Sequence, residues 1–220
     1  MRKDKSTRFR GVPGVCTDTK GKTLLGLIGG IGTHDDRGSM KIAVITPSKP
    51  DRAGMLEECR ASVLSQTRSA ELHVVEVDIN KVGPSKLRNK MVKALPNEIN
   101  WLAFLDDDDL FLPKHLEKLS AVAENADVVY SPSQHTGLNC RAYNYVELKR
   151  ANYISVTCLV RRSMFELVGG FDDKFLEDWE LWKKIAGAVG RFEFVPEQTW
   201  IYRIHGGHQF RNMKLGRRTR

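Results

Sequence analysis

The chain has 220 residues, 41% of them hydrophobic and 28% charged, with 18 Gly and 8 Pro. This suits one globular domain with appendages and excludes disorder, collagen-like repeats and coiled coils. The longest uncharged apolar stretch, residues 24–31, falls far short of the ~20 residues of a membrane-spanning helix. No small-residue cleavage site follows it, so no secretory signal is read there.

The net charge of +8 first suggests a polyanionic partner. The first ten residues carry +4 and the last ten +5, which leaves residues 11–210 at −1. A nucleic-acid reader is expected to carry its basic face on the folded body, so the charge distribution disfavours that class. The basic ends read as solvated tails able to make weak contacts with phosphate or anionic lipid. Cys16, Cys59, Cys140 and Cys158 form no CxxC pair. A disulfide framework is not expected at this density, and a reducing cytoplasm is the simpler setting.

Residues 1–39 combine a basic start with a Gly-rich middle and show no clear period, so they are expected to form a flexible or strand-adding leader. Gly21-Lys22-Thr23 matches the end of a phosphate-binding loop, but position 16 is Cys16 and no strand precedes it, so the match is read as chance. Residues 40–210 are expected to form the main domain and 211–220 a basic tail.

From Lys41 the pattern turns regular. Residues 41–46 are a β-branched apolar run bounded by Pro47 and Pro50, and read as a buried parallel strand. Residues 51–67 carry Met55, Leu56, Cys59, Val63 and Leu64 at helical spacing. A strand at 72–77 ends in Asp78, and a helix at 85–95 is stopped by Pro96. A strand at 101–105 runs into Asp106-Asp107-Asp108-Asp109, and Pro113 suits the first residue of the next helix. Further strands are read at 128–130, 154–160 and 199–204. Alternating β and α elements imply a doubly wound, mostly parallel α/β sheet. Ligands of such sheets gather at the carboxyl ends of the strands, which places residues 46–49, Asp78 and Asp106 to Asp109 on one rim.

Charge runs are usually solvated. The four aspartates, however, are bracketed by apolar residues at a strand end, where carboxylates raise one another's pKa. A divalent cation relieves that conflict, and hard oxygen ligands suit Mg2+ or Mn2+. Alternation lets Asp106 and Asp108 converge while Asp107 turns away. Glu177 and Asp178 open a helix bearing Leu181, Trp182 and Ile185, after the turn Gly169-Gly170-Phe171-Asp172. They read equally well as helix-dipole partners or as a functional pair. His205 precedes two glycines and can serve a structural role or reach a metal or diphosphate. Lys86, Arg88 and Asn89 open the helix after Gly83-Pro84, as a solvated turn or an anion contact.

This ordered set resembles family-2 glycosyltransferases of the GT-A fold. Its parts are Thr46-Pro47, residues 62–67, Asp78, Arg88-Asn89, Phe104-Leu105 with the four aspartates, residues 169–172, and Glu177-Asp178-Trp179-Glu180-Leu181-Trp182. The resemblance implies an inverting transferase that uses a nucleotide-diphosphate sugar, a UDP-sugar favoured, and a divalent cation. It implies Asp108 as the closer metal ligand, Asp106 nearer the ribose, and Asp107 beside them at the donor site. It further implies Asp78 against the base, Thr46 and Pro47 beneath it, and Arg88 near the nucleotide. Asp178 matches the general base, with Glu177 the fallback, and His205 a histidine near metal or diphosphate. Residues 79–81 (Ile-Asn-Lys) lack the usual acid-Gly-Ser continuation, and no QxxRW signature is present, which disfavours a processive polysaccharide synthase. A nucleotidyltransferase would carry a Gly-rich basic loop after the first strand, where no glycine occurs before Gly54. A non-catalytic nucleotide- or cation-binding module would not need Glu177 and Asp178. The acceptor stays open among protein, lipid-linked, small-molecule and modified nucleic-acid hydroxyls.

Overall fold

The computed structural model describes residues 39–134 and 139–205. The leader (apart from residue 39), the Gly21-Lys22-Thr23 match and the tail 211–220 lie outside the described residues.

In chain order the elements begin with β1 (Ile42–Ser48), α1 (Ala53–Leu64), β2 (Leu72–Val77), α2 (Pro84–Lys93), β3 (Trp101–Phe104) and β4 (Asp109–Phe111). There follow α3 (His115–Ala121), β5 (Val128–Tyr130), β6 (Ser133–Gln134), α4 (Tyr145–Arg150), β7 (Cys158–Arg161) and α5 (Arg162–Leu167). The series ends with α6 (Glu177–Gly187), β8 (Phe192–Phe194) and β9 (Trp200–Tyr202). A six-stranded sheet runs β2-β1-β3-β7-β5-β8, and a three-stranded one runs β4-β9-β6. β1 is parallel to β2 and β3, and β5 to β8, whereas β7 lies antiparallel to both its neighbours.

The continuous apolar runs fold as buried strands because both faces of the large sheet are covered. Ala43, Ile45, Leu102 and Phe104 point to one side, against Leu87 and Met91 of α2, Phe165 of α5 and Trp182 of α6. Ile42, Val44, Trp101 and Ala103 point to the other, against Cys59 and Val63 of α1 and Leu116 and Leu119 of α3. Strand alternation thus yields two cores from one sheet, the doubly wound arrangement expected.

Several boundaries differ from expectation for local reasons. β1 continues through Pro47, which is in register with Glu76 of β2, while its pairing with β3 ends at Ile45. Beyond that point one side of β1 is open, so the absent proline N–H breaks no bond to β3. Residues 154–157 are not strand, and β7 starts at Cys158. The Ile154 carbonyl accepts from Trp182 Nε1 at 3.0 Å and Ser155 Oγ accepts from the Thr157 amide at 3.4 Å, so side chains take bonds that a ladder would use. Helix α3 starts at His115, two residues after Pro113. Asp109 opens β4 instead of ending a rim of four, and pairs with Tyr202 of β9.

Candidate active site

The acidic corner forms because β3 ends and the chain turns at once into β4, so neighbouring aspartates face different surroundings. Asp107 points toward the loop after β1. One carboxylate oxygen accepts from Ser48 Oγ at 2.8 Å and from the Lys49 amide at 3.0 Å, and the other accepts from Arg52 Nη1 at 2.7 Å. It is not one of the three carboxylates that converge at the corner, although Arg52 Nη1 joins it to Asp108. Both oxygens of this 2%-exposed residue are thus partnered within the chain.

Asp106, Asp108 and Asp109 converge instead, offering carboxylate oxygens within 4.8 Å of one another. Asp109 is buried and accepts from the Arg203 amide at 3.1 Å. Burial first, and then the charges of Asp106 and Asp108, push its carboxyl well above the usual range. Three hard oxygen donors crowded into one corner fit a divalent cation, whose charge would relieve their repulsion. His205 Nε2 lies 2.9 Å from Asp108 Oδ2, and Arg52 Nη1 reaches the same oxygen at 2.7 Å.

Arg203 braces this corner. Its guanidinium donates to the Asp108 carbonyl at 2.6 Å, the Asp107 carbonyl at 3.1 Å and the Met55 carbonyl at 2.9 Å, and pairs with Glu58 at 2.6 Å. The acid run, α1 and the end of β9 are thereby tied together.

The Thr46 hydroxyl is buried, 2.9 Å from His73 Nε2, and Pro47 continues the strand to the loop gripped by Asp107. Asp78 accepts from the Val82 amide at 2.8 Å and the Gly83 amide at 2.9 Å. Its carboxylate thus holds the turn into α2, where Lys81 and Gly83 take positive φ of 54° and 92°.

Glu177 and Asp178 open α6 after Leu176, a non-glycine residue at φ 59°. A side chain forced into that region is a local strain of the kind found at functional sites. Asp178 Oδ2 accepts from Asn152 Nδ2 at 3.1 Å and Oδ1 from the Trp179 amide at 2.7 Å. Burial, then the Glu177 charge, push the Asp178 carboxyl up to about 6 against those bonds and the Arg88 charge.

Arg88 lies between the two groups of acids. It is 1% exposed, and its guanidinium donates to Glu177 Oε1 at 3.0 Å and to Asp106 Oδ1. The neighbouring Lys86 is solvated and pairs with Asp173 at 2.7 Å. Asp109, Arg52, Arg203 and Asn152 were missed by sequence reasoning. Only Asp109 left a signal there, as a member of the acid run.

A strand-end cluster of acids on one side and a Glu-Asp helix start on the other, set on a doubly wound sheet, is the arrangement that the resemblance to GT-A glycosyltransferases implies. The glycosyl transferase family 2 model matches residues 47–171, more than half of the sequence, and the chain belongs to that family. An uncharacterised glycosyltransferase of Haemophilus influenzae is 29% identical over 142 residues, 56% of this chain and 47% of the relative. The chain therefore spans about half the length of that relative. Among solved structures, Staphylococcus aureus TarS 1–349 with UDP-GlcNAc superposes with a TM-score of 0.61 at 19% identity, covering 78% of this chain and 61% of TarS. The mannosyltransferase PcManGT of Pyrobaculum calidifontis, with GDP-Man and Mn2+, gives 0.61 at 16% identity over 81% and 62% of the two chains. These likenesses show the fold. No helix among the described residues is long and apolar enough to cross a membrane.

Proposed function

We propose that the chain is an inverting glycosyltransferase that moves a sugar from a nucleotide-diphosphate donor, a UDP-sugar favoured, to an acceptor hydroxyl with Mn2+ or Mg2+. The observation that carries this reading is the link that Arg88 makes between the carboxylate cluster at Asp106 and the Glu177-Asp178 pair. Donor-side and acceptor-side acids lie one guanidinium apart. Asp106, Asp108 and Asp109 would hold the cation, with His205 beside Asp108. A cation bound there supplies neutralisation of charge on the leaving diphosphate. Thr46, Pro47 and the loop held by Asp107 would lie under the nucleotide base, with Asp78 shaping the adjoining turn.

Asp178 would accept the proton of the attacking hydroxyl. Its raised pKa suits a base working near neutrality, whereas Glu177 is committed to Arg88. Oxygen then attacks the anomeric carbon on the face opposite the diphosphate, and one displacement inverts the centre. PcManGT with GDP-Man and Mn2+ and a Drosophila galactosyltransferase with manganese and UDP-Gal support the donor and cation assignments. The domain is assigned to residues 40–210, preceded by a leader and followed by a basic tail. Cytoplasmic residence is supported by the free thiols of Cys59, Cys140 and Cys158. The test is a panel of nucleotide sugars with Mn2+, scored for nucleotide release into water. Release from one donor, lost in Asp108→Asn, is expected; no release from any donor would reject the reading.

A further inference from the structure

Helix α2 turns two adjacent polar residues inward at the site. Arg88 is fully enclosed, with Phe171 under its guanidinium at 5.2 Å, and its Nε has no hydrogen-bond partner. Asn89 makes a two-point clasp on the backbone of the same residue: its Nδ2 donates to the Phe171 carbonyl at 2.8 Å and its Oδ1 accepts from the Phe171 amide at 3.0 Å. The clasp is close-fitting, since Gly170 sits at φ 68° and a Cβ there would lie 2.6 Å from Asn89 Oδ1.

The chain clasped by Asn89 leads through exposed residues 173–175 to Leu176, Glu177 and Asp178. Arg88 grips its far end at Glu177 and, with its other amino group, Asp106 at the end of β3. One helical turn thus holds both ends of the segment that carries the base and refers them to the cation corner. A buried guanidinium left with an idle Nε is costly for a core device, and an aliphatic side chain would fill the space without that cost. Its retention is explained by the geometry it imposes.

We propose that Arg88 and Asn89 are the positioning pair of the transfer reaction, setting residues 171–178 in register with Asp106 so that Asp178 meets the acceptor hydroxyl. Neither residue touches substrate. This rests on the transferase reading above, and it replaces the nucleotide contact that the resemblance implies for Arg88.

The test compares wild type with Arg88→Lys, which keeps the charge but loses the fork, and Asn89→Ala, which opens the clasp. Hydrogen exchange is measured on ligand-free protein. Nucleotide release is measured with UDP-GlcNAc, UDP-Gal and GDP-Man in Mn2+. Local opening should speed exchange across residues 171–178 by about tenfold or more while β1 and β3 stay protected. With the donor that is turned over, kcat should fall at least about tenfold while the donor KM stays within about twofold, the mark of lost transition-state geometry. A raised KM with kcat retained would make Arg88 a nucleotide contact and overturn the proposal. Unchanged exchange in both variants would overturn it as well. If the wild type releases nucleotide from no donor, the transferase reading fails by itself, and exchange still decides whether the clasp exists.

Discussion

Arg52 Nη1 lies 2.7 Å from Oδ2 of Asp108, one of the three carboxylates that converge at the acidic corner. A side-chain cation therefore sits where a metal ion would draw on the same charge. The same nitrogen also reaches Asp107 at 2.7 Å, so Arg52 has a second anchor when it yields Asp108.

Removing this competitor should favour the metal. Arg52→Gln is expected to bind Mn2+ about fivefold more tightly in the absence of nucleotide, because a close charge pair on one ligand is worth about 1 kcal/mol near a surface. Asp108→Asn should abolish the binding with its fold intact. Calorimetric titration reads both, and weaker binding by Arg52→Gln would show that Arg52 supports the cation site.

The two acids opening α6 should respond unequally. Asp178→Asn is expected to lower turnover by about 10²–10⁴-fold with little change in donor affinity, the scale of a lost general base. Glu177→Gln should cost less, since that carboxylate serves Arg88. Steady-state kinetics on both variants decide the assignment; equal turnover in Asp178→Asn and wild type would remove Asp178 from the chemistry.

The Asp178 carboxyl, pushed up to about 6 by burial and by Glu177, also makes stability depend on pH. The folded state holds this proton more tightly than the unfolded chain, where ~3.9 is usual. The resulting stabilisation is complete below about pH 4 and is lost as pH rises through about 6. Relative to Asp178→Asn, wild type should lose about 1–2 kcal/mol between those limits, read from urea midpoints. Turnover should rise over the same window as the base is freed. Parallel stability profiles in the two proteins would contradict the shift.

Gly170→Ala tests the clasp from the opposite side. At φ 68°, with its Cβ 2.6 Å from Asn89 Oδ1 and 3.0 Å from the Phe165 ring, alanine must strain the backbone and displace Asn89. A loss of more than about 1 kcal/mol is expected in urea unfolding, with faster exchange at Phe171. Wild-type stability would mean that the turn relaxes freely.

The large sheet was legible because β1 and β3 are unbroken apolar runs and α1 and α2 carry core residues at helical spacing. Of the small sheet only β9 was legible, inside the strand read at 199–204. β4 has three residues and begins within the acid run, so it offers no window long enough to show a period. Asp106 and Asp108 were legible as converging acids; Asp109 joined them only because β4 turns it inward. The burial of Arg88 was missed although a signal existed, since it shares an apolar stripe with Met91, Val92 and Leu95. A charge on such a stripe announces a buried partner, but spacing alone does not say which. Arg52 and Arg203 carried no signal, because their partners are assembled by the fold.

The pairing of β4 with β9 also sets a timetable. Arg203 meets Met55 across 148 residues and His205 meets Asp108 across 97. On the ribosome, the acids of the corner are made long before the strand that braces them, so β1 to β3 can emerge and pack while the corner still lacks its brace. The acidic corner is then complete only once residues 203 to 205 have been made, and damage close to residue 200 would be felt at Asp108.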